Sequence, residues 1–136
     1  TDAIIDIATL TGAAMRALGT EIAVTIGNDR GLLDLIGSAA EATDEPVWEL
    51  PLAHRYRKQL NSTVADIKNL GGANAGSITA ALFLEEFVAG KPWAHIDIAG
   101  VADNETDATW RPPGCTGFGA RLLAEMAIAY RKEDDR

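Results

Sequence analysis

The stretch that most constrains the fold is Ala3-Ile4-Ile5-Asp6-Ile7-Ala8-Thr9-Leu10-Thr11-Gly12, a hydrophobic run holding one carboxylate and closing in a hydroxyl-rich glycine turn. A short apolar run of this kind reads as a buried strand that stops at a polar loop. Its tetrapeptide Ile5-Asp6-Ile7-Ala8 recurs as Ile96-Asp97-Ile98-Ala99, and the second copy also runs into a glycine loop, Gly100-Val101-Ala102. Ligands of open α/β sheets sit at the carboxyl ends of strands. The two strand ends are therefore expected to form two walls of one pocket.

The 136 residues, 47% of them hydrophobic, suffice for one core. A net charge of −8 argues against a nucleic-acid surface, because neutralising phosphates needs clustered Lys and Arg. The one basic cluster, Arg55-Tyr56-Arg57-Lys58, reads as a solvated helix face. A single Cys115 leaves no internal disulfide framework and fits a reducing compartment. No stretch has the roughly 18 uninterrupted apolar residues of a membrane span, and no basic-then-apolar leader opens the chain. The expectation is a cytoplasmic protein without a membrane segment. Thr1-Asp2 leads directly into the first strand, as expected of a segment cut from a longer chain.

Further along, Gly12 to Gly19 suits a short helix, Glu21 to Ile26 a strand, and Leu32, Leu33, Leu35, Ile36, Ala39 and Ala40 recur at helical spacing over about Arg30 to Thr43, with Asn28 or Asp29 as cap. Val47 to Leu52 is extended and bounded by prolines, His54 to Leu60 forms a short polar helix, and Val64 to Ile67 could be a short strand. The loop Asn69 to Ser77 opens a helix from about Ser77 to Val88 that is apolar almost all round and so must be buried on most sides. Trp93 to Ala99 is the second Asp-bearing strand, Asp103 to Gly114 an acidic loop, and Thr116 to Tyr130 carries the final helix, fraying in residues 131–136. Alternating strands and helices predict a layered α/β fold, with a mostly parallel or mixed sheet flanked by helices.

Asp6 and Asp97 lie in strands where an unpartnered carboxylate is costly. They are either metal ligands, with Asp2 and Asp66 as further carboxylates, or structural groups accepting hydrogen bonds near the strand ends. The residues alone favour the second. His95 alternates with Asp97 on one strand face, so the pair is either an acid–base dyad or a core histidine with satisfied nitrogens. Ser77 and Cys115 lack a nucleophile elbow. The glycine-rich loop could cradle an anion at a helix end, but it has neither a Walker lysine nor a dinucleotide fingerprint, and close packing of the next helix is a sufficient reason for its glycines.

Four segments together resemble the leucyl (cytosol) aminopeptidase family, the dinuclear-metal M17 peptidases. They are Ile4 to Gly12, Gly76-Ser77-Ile78-Thr79-Ala80-Ala81 with Phe83-Leu84, Trp93 to Gly100, and Thr116 to Leu123. The resemblance covers essentially the whole chain and implies that residues 1–136 are the C-terminal portion of the family's catalytic domain. The implied activity is release of N-terminal residues, often leucine, from peptides by two divalent metal ions, Mn or Zn, with a bridging hydroxide.

The family signature of the type Asn-Thr-Asp-Ala-Glu-Gly-Arg is absent, since Thr1-Asp2-Ala3 continues as Ile4-Ile5. No catalytic residue or metal ligand of the family maps onto this chain, and the chain alone is expected to bind no metal and to be inactive. What the resemblance does map is the substrate pocket. Thr9, Leu10 and Gly12 match the loop holding the substrate's amino-terminal residue, through the Leu10 carbonyl and the Gly12 amide. Ala99 and Ala102 match its other wall, where alanine in place of a frequent methionine at 102 implies a roomier pocket. Leu70 matches an apolar contact for the residue after the scissile bond. The implied partners are peptides and further copies of the chain in a hexamer. DNA, bound by some bacterial members, is disfavoured by the acidic charge. A non-catalytic oligomerisation or scaffold module of a degenerate member is the alternative, and a free-standing nucleotide-binding domain a third.

Overall fold

The computed structural model describes residues 1–106 and 112–130. Strand β1 (Ile4–Ala8) is followed by α1 (Gly12–Leu18), β2 (Ala23–Gly27), α2 (Arg30–Thr43), β3 (Val47–Glu49), a 3-10 helix (His54–Leu60), α3 (Gly76–Glu85), β4 (Trp93–Asp97), the two-residue strands β5 (Asp103–Asn104) and β6 (Gly114–Cys115), and α4 (Ala120–Ala129). Strands β1 to β4 form one sheet in the order β1-β4-β2-β3. The β1–β4 and β2–β3 pairs are parallel, whereas β2 and β4 are antiparallel. The sheet is thus mixed, flanked by helices on both faces.

Alternation along the strands sorts the side chains into two cores. Ala94 and Ile96 of β4, with Ala23 of β2, pack on Leu33, Ile36 and Ala40 of α2 and on Leu122 and Met126 of α4. Trp93, with Val24 and Ile26, faces Ala14 of α1 and Ala81 of α3. All five residues of β4 are buried, as expected of a strand covered on both faces.

Local chemistry fixes the joints between these layers. Asp29 caps α2 by accepting from the Leu32 amide at 2.8 Å. Asn28 instead stitches the end of β2 to the start of β4, since its amide oxygen accepts from Trp93 N at 2.8 Å and its nitrogen donates to the Lys91 carbonyl at 3.0 Å. At Gly27 a Cβ would lie 2.5 Å from the Trp93 carbonyl, so only glycine permits this approach. Glu45, buried beyond the end of α2, accepts from the Leu122 amide at 2.9 Å and lies 3.5 Å from the Arg121 guanidinium. A distant carboxylate thereby serves the first turn of α4, whose N-cap is Gly119 and has no side chain to do so.

Two sequence expectations are corrected. Val64 to Ile67 is not a strand: it pairs with nothing in the sheet, and Val64 is 93% exposed. Without a neighbour to supply ladder hydrogen bonds, a short apolar run has no reason to extend. The loop from Asp103 to Gly114 is not wholly irregular, because its ends pair antiparallel, Asp103 with Cys115 and Asn104 with Gly114. The expected fraying in residues 131–136 lies outside the described residues.

Glu45→Ala is expected to leave the Leu122 N–H buried without an acceptor and to destabilise the protein by about 1–3 kcal/mol. Urea denaturation of the purified protein reads this directly. An unchanged midpoint would mean that α4 is capped otherwise.

Candidate functional site

The carboxyl ends of β1 and β4 lie side by side because the two strands are parallel neighbours. Their shared tetrapeptide is offset by two positions, with Asp6 beside His95 and Ala8 beside Asp97. Each carboxylate consequently acquires a different set of partners.

Asp97 is 1% exposed. Its Oδ1 accepts from the amides of Leu10 at 3.1 Å, Thr11 at 3.3 Å and Ala99 at 3.2 Å, and its Oδ2 accepts the Thr11 hydroxyl at 2.6 Å. Thr11 Oγ1 also accepts from the Ala14 amide at 3.0 Å, capping α1, and lies 2.9 Å from Ser77 Oγ. The single Thr11 hydroxyl proton points to the carboxylate, so Ser77 donates to Thr11. The hydroxyl of Ser77 is accordingly part of the scaffold. One carboxylate thus joins the turn after β1, the turn after β4 and the first turn of α3.

Two close approaches complete the clamp on α1. A Cβ on Gly76 would fall 2.8 Å from Ala13 Cβ, and one on Gly100 would fall 2.1 Å from the Gly19 carbonyl. Gly71 packs on Thr79 of α3 in the same way, since a Cβ there would lie 3.0 Å from Thr79 Oγ1. Packing thus accounts for Gly71 and Gly76.

Asp6 receives Trp93 Nε1 at 2.7 Å and a short hydrogen bond from His95 Nδ1. Of the two readings of His95, the acid–base dyad with Asp97 is not the arrangement found: His95 is bonded to Asp6 across the β1–β4 pair. Alternation put residues 95 and 97 on one face, but the neighbouring strand supplies the nearer carboxylate. The alternative reading, a fully satisfied core histidine, holds for Nδ1 only, since Nε2 is buried with no hydrogen-bond partner among the described residues.

Both strand carboxylates are thus engaged by protein donors. No group of three or more His, Cys, Asp or Glu side chains converges among the described residues. Among the described residues the donor set does not fit a pair of divalent ions, and Asp66 and Asp2 do not gather with Asp6 and Asp97.

Beside the clamp lies a cavity of about 470 Å³ whose walls include Leu10, Gly12, Arg16, Asn69 and Leu70. Leu10 and Leu70 are 42% and 77% exposed, large apolar surfaces turned to open space. The Gly12 amide belongs to the first helical turn, where an N–H has no intrahelical acceptor. Of the six residues singled out from sequence, the structure brings Leu10, Gly12 and Leu70 into this cavity. Thr9, Ala99 and Ala102 are not among its lining residues. Ala99 is nonetheless linked to the Leu10 turn, because both amides meet on Asp97 Oδ1. Ala102 is fixed through its carbonyl, which accepts from the Thr116 amide at 3.0 Å. Arg16 was not singled out; its spacing of four from Gly12 was the available signal, because helical side chains lean toward the preceding turn.

Residues 1–124 match the family model described as the cytosol aminopeptidase family, catalytic domain. A protein of Geobacter sulfurreducens named "Probable cytosol aminopeptidase" is 52% identical over 127 residues, covering 93% of this chain and 26% of the relative. Proteins of the same name from Desulfotalea psychrophila and Synechococcus sp. (strain JA-3-3Ab) are each 50% identical, over 92% and 94% of the chain and 25% of either relative. The chain belongs to the cytosol aminopeptidase family. It spans about a quarter of the length of the curated relatives it matches.

Removing the Asp97 carboxylate with Asp97→Ala would strand three amides and the Thr11 hydroxyl. The expected cost is roughly 3–5 kcal/mol, with faster hydrogen exchange at Leu10, Thr11 and Ala99. Exchange rates at these amides like those of the parent protein would show that the carboxylate does not hold the turn.

Proposed function

We propose that this chain is the C-terminal portion of an aminopeptidase catalytic domain and that it contributes the peptide-binding pocket of the whole protein. The observation carrying this reading is the cavity in which Leu10, Gly12 and Leu70 meet beside a turn immobilised by Asp97. In this reading the Leu10 carbonyl and the Gly12 amide hold the peptide backbone, and Leu70 covers the residue after the scissile bond. Thr9, Ala99 and Ala102 form the wall for the amino-terminal side chain. The full-length protein releases N-terminal, leucine-like residues from peptides in the cytoplasm, as a homo-oligomer of the hexameric kind. Two divalent ions, Mn or Zn, supply the hydrolytic chemistry when bound, and other parts of the protein hold them. The role of the residues described here is to bind and orient the peptide.

Support comes from the match to the family's catalytic domain and from the names of the relatives. The described helices include none long and apolar enough to cross a membrane. The single cysteine agrees with a cytoplasmic setting.

Two outcomes are expected. The isolated 136-residue chain should retain no stoichiometric Zn or Mn by elemental analysis and should release no leucine from leucinamide, whereas the full-length protein should do both. Metal-dependent release by the isolated chain would contradict the division of roles. In the full-length protein, Ala102→Met should narrow the side-chain pocket and lower kcat/KM for an N-terminal phenylalanine relative to leucine by about tenfold, within the range expected for small changes in an apolar pocket. An unchanged ratio would remove Ala102 from the pocket.

A further inference from the structure

Among the described residues that line the cavity beside the Leu10–Gly12 turn, Arg16 is the one that carries a charge. It lies in the last turn of α1 and its side chain reaches back one turn, leaving Nη1 3.4 Å from the position a Cβ would take on Gly12. Because Gly12 has no side chain, the guanidinium lies close to the Gly12 backbone on the lining of the cavity. No carboxylate is among the described lining residues, although the protein as a whole carries 20 Asp and Glu against 12 Lys and Arg. Three other arginines of the described residues are occupied, Arg30 by Glu49, Arg57 by Glu86 and Arg121 by Glu45, and Arg55 is not among the residues lining the cavity. The Arg16 side chain has no hydrogen bond or ion pair with any described residue.

We propose that Arg16 binds a carboxylate on the departing portion of the peptide, an inference that rests on the peptide-pocket reading above. The guanidinium fork matches a carboxylate in two parallel N–H···O bonds, which a lone ammonium does not reproduce. Leu70 and Leu10 cover the apolar part of the departing residue, and Gly71, Gly72 and Ala73 leave room for its backbone. The carboxylate is either the C-terminus of a dipeptide or the side chain of an acidic residue directly after the scissile bond. The preferred substrates are therefore peptides that present a negative charge close to the bond cleaved.

The test compares kcat/KM of the full-length, metal-loaded protein and its Arg16→Met variant on Leu-Gly, Leu-Gly-amide and Leu-Asp-amide. The parent protein is expected to favour a carboxylate-bearing substrate over Leu-Gly-amide by about five- to tenfold at low salt, and the preference should shrink as ionic strength rises. Arg16→Met should abolish it, and Arg16→Lys should restore it in part. Loss confined to Leu-Gly identifies the peptide C-terminus as the bound group, and loss confined to Leu-Asp-amide identifies the side chain. A parent protein with no preference, or a variant that changes all three substrates by the same factor, overturns the assignment of Arg16 while leaving the aminopeptidase reading intact. A parent protein that cleaves none of the three overturns both.

Discussion

Three backbone amides and one hydroxyl converge on the Asp97 carboxylate, and the arrangement of the strand ends depends on that convergence. A carboxylate this buried is tolerable only when it is well hydrogen-bonded, and here three of the four donors come from a segment remote in sequence. Leu10 and Thr11 lie 87 and 86 residues away, and the hydroxyl of Thr11 carries the network on to Ser77 at the start of α3. The turn after β1 is therefore not a free loop. It is held at one end by Asp97, at the first helical turn by the Ala13–Gly76 contact, and at the far end of α1 by the Gly100–Gly19 contact. A surface that must present a backbone carbonyl and amide to a ligand gains precision from such support.

The repeated Ile-Asp-Ile-Ala motif divides its carboxylates between two structural roles. Asp6 lies within β1 and joins Trp93 to His95, whereas Asp97 sits opposite Ala8 at the last pair of β1 and β4 and joins the turns that follow. Among the described residues neither belongs to a cluster of three or more metal-ligating side chains, which is why the proposed contribution of this chain is binding and orientation and not metal chemistry. Beside the anchored turn, the apolar side chains of Leu10 and Leu70 remain uncovered.

Much of this was legible in the chain. The strands β1 and β4 announce themselves as apolar runs ending at glycine turns, α2 by its helical periodicity and Asp29 cap, and α3 by being apolar all round. The tertiary choices were not. Nothing in the run Trp93 to Asp97 says that β1 lies alongside it with a two-residue offset, so the partner of His95 was legible only as a residue type. The antiparallel β2–β4 pairing follows from how the long segment between β3 and β4 returns, which local pattern does not encode. Val64 to Ile67 has strand composition but no sheet edge to join. Arg16 went unmarked because an arginine between two glycines in a short helix looks like a solvated residue until the cavity beside it is known.

The central claim is that the anchored turn after β1 and the loop around Leu70 together receive the peptide. Hydrogen–deuterium exchange on the full-length protein, with and without a non-hydrolysed analogue of an N-terminal leucine peptide, tests it most directly. New protection is expected at Gly12 and Ala13 and across residues 70–73, with little change at Leu10 and Thr11, whose amides Asp97 already holds. Protection confined to other parts of the protein, with residues 10–13 and 70–73 unchanged, would contradict it.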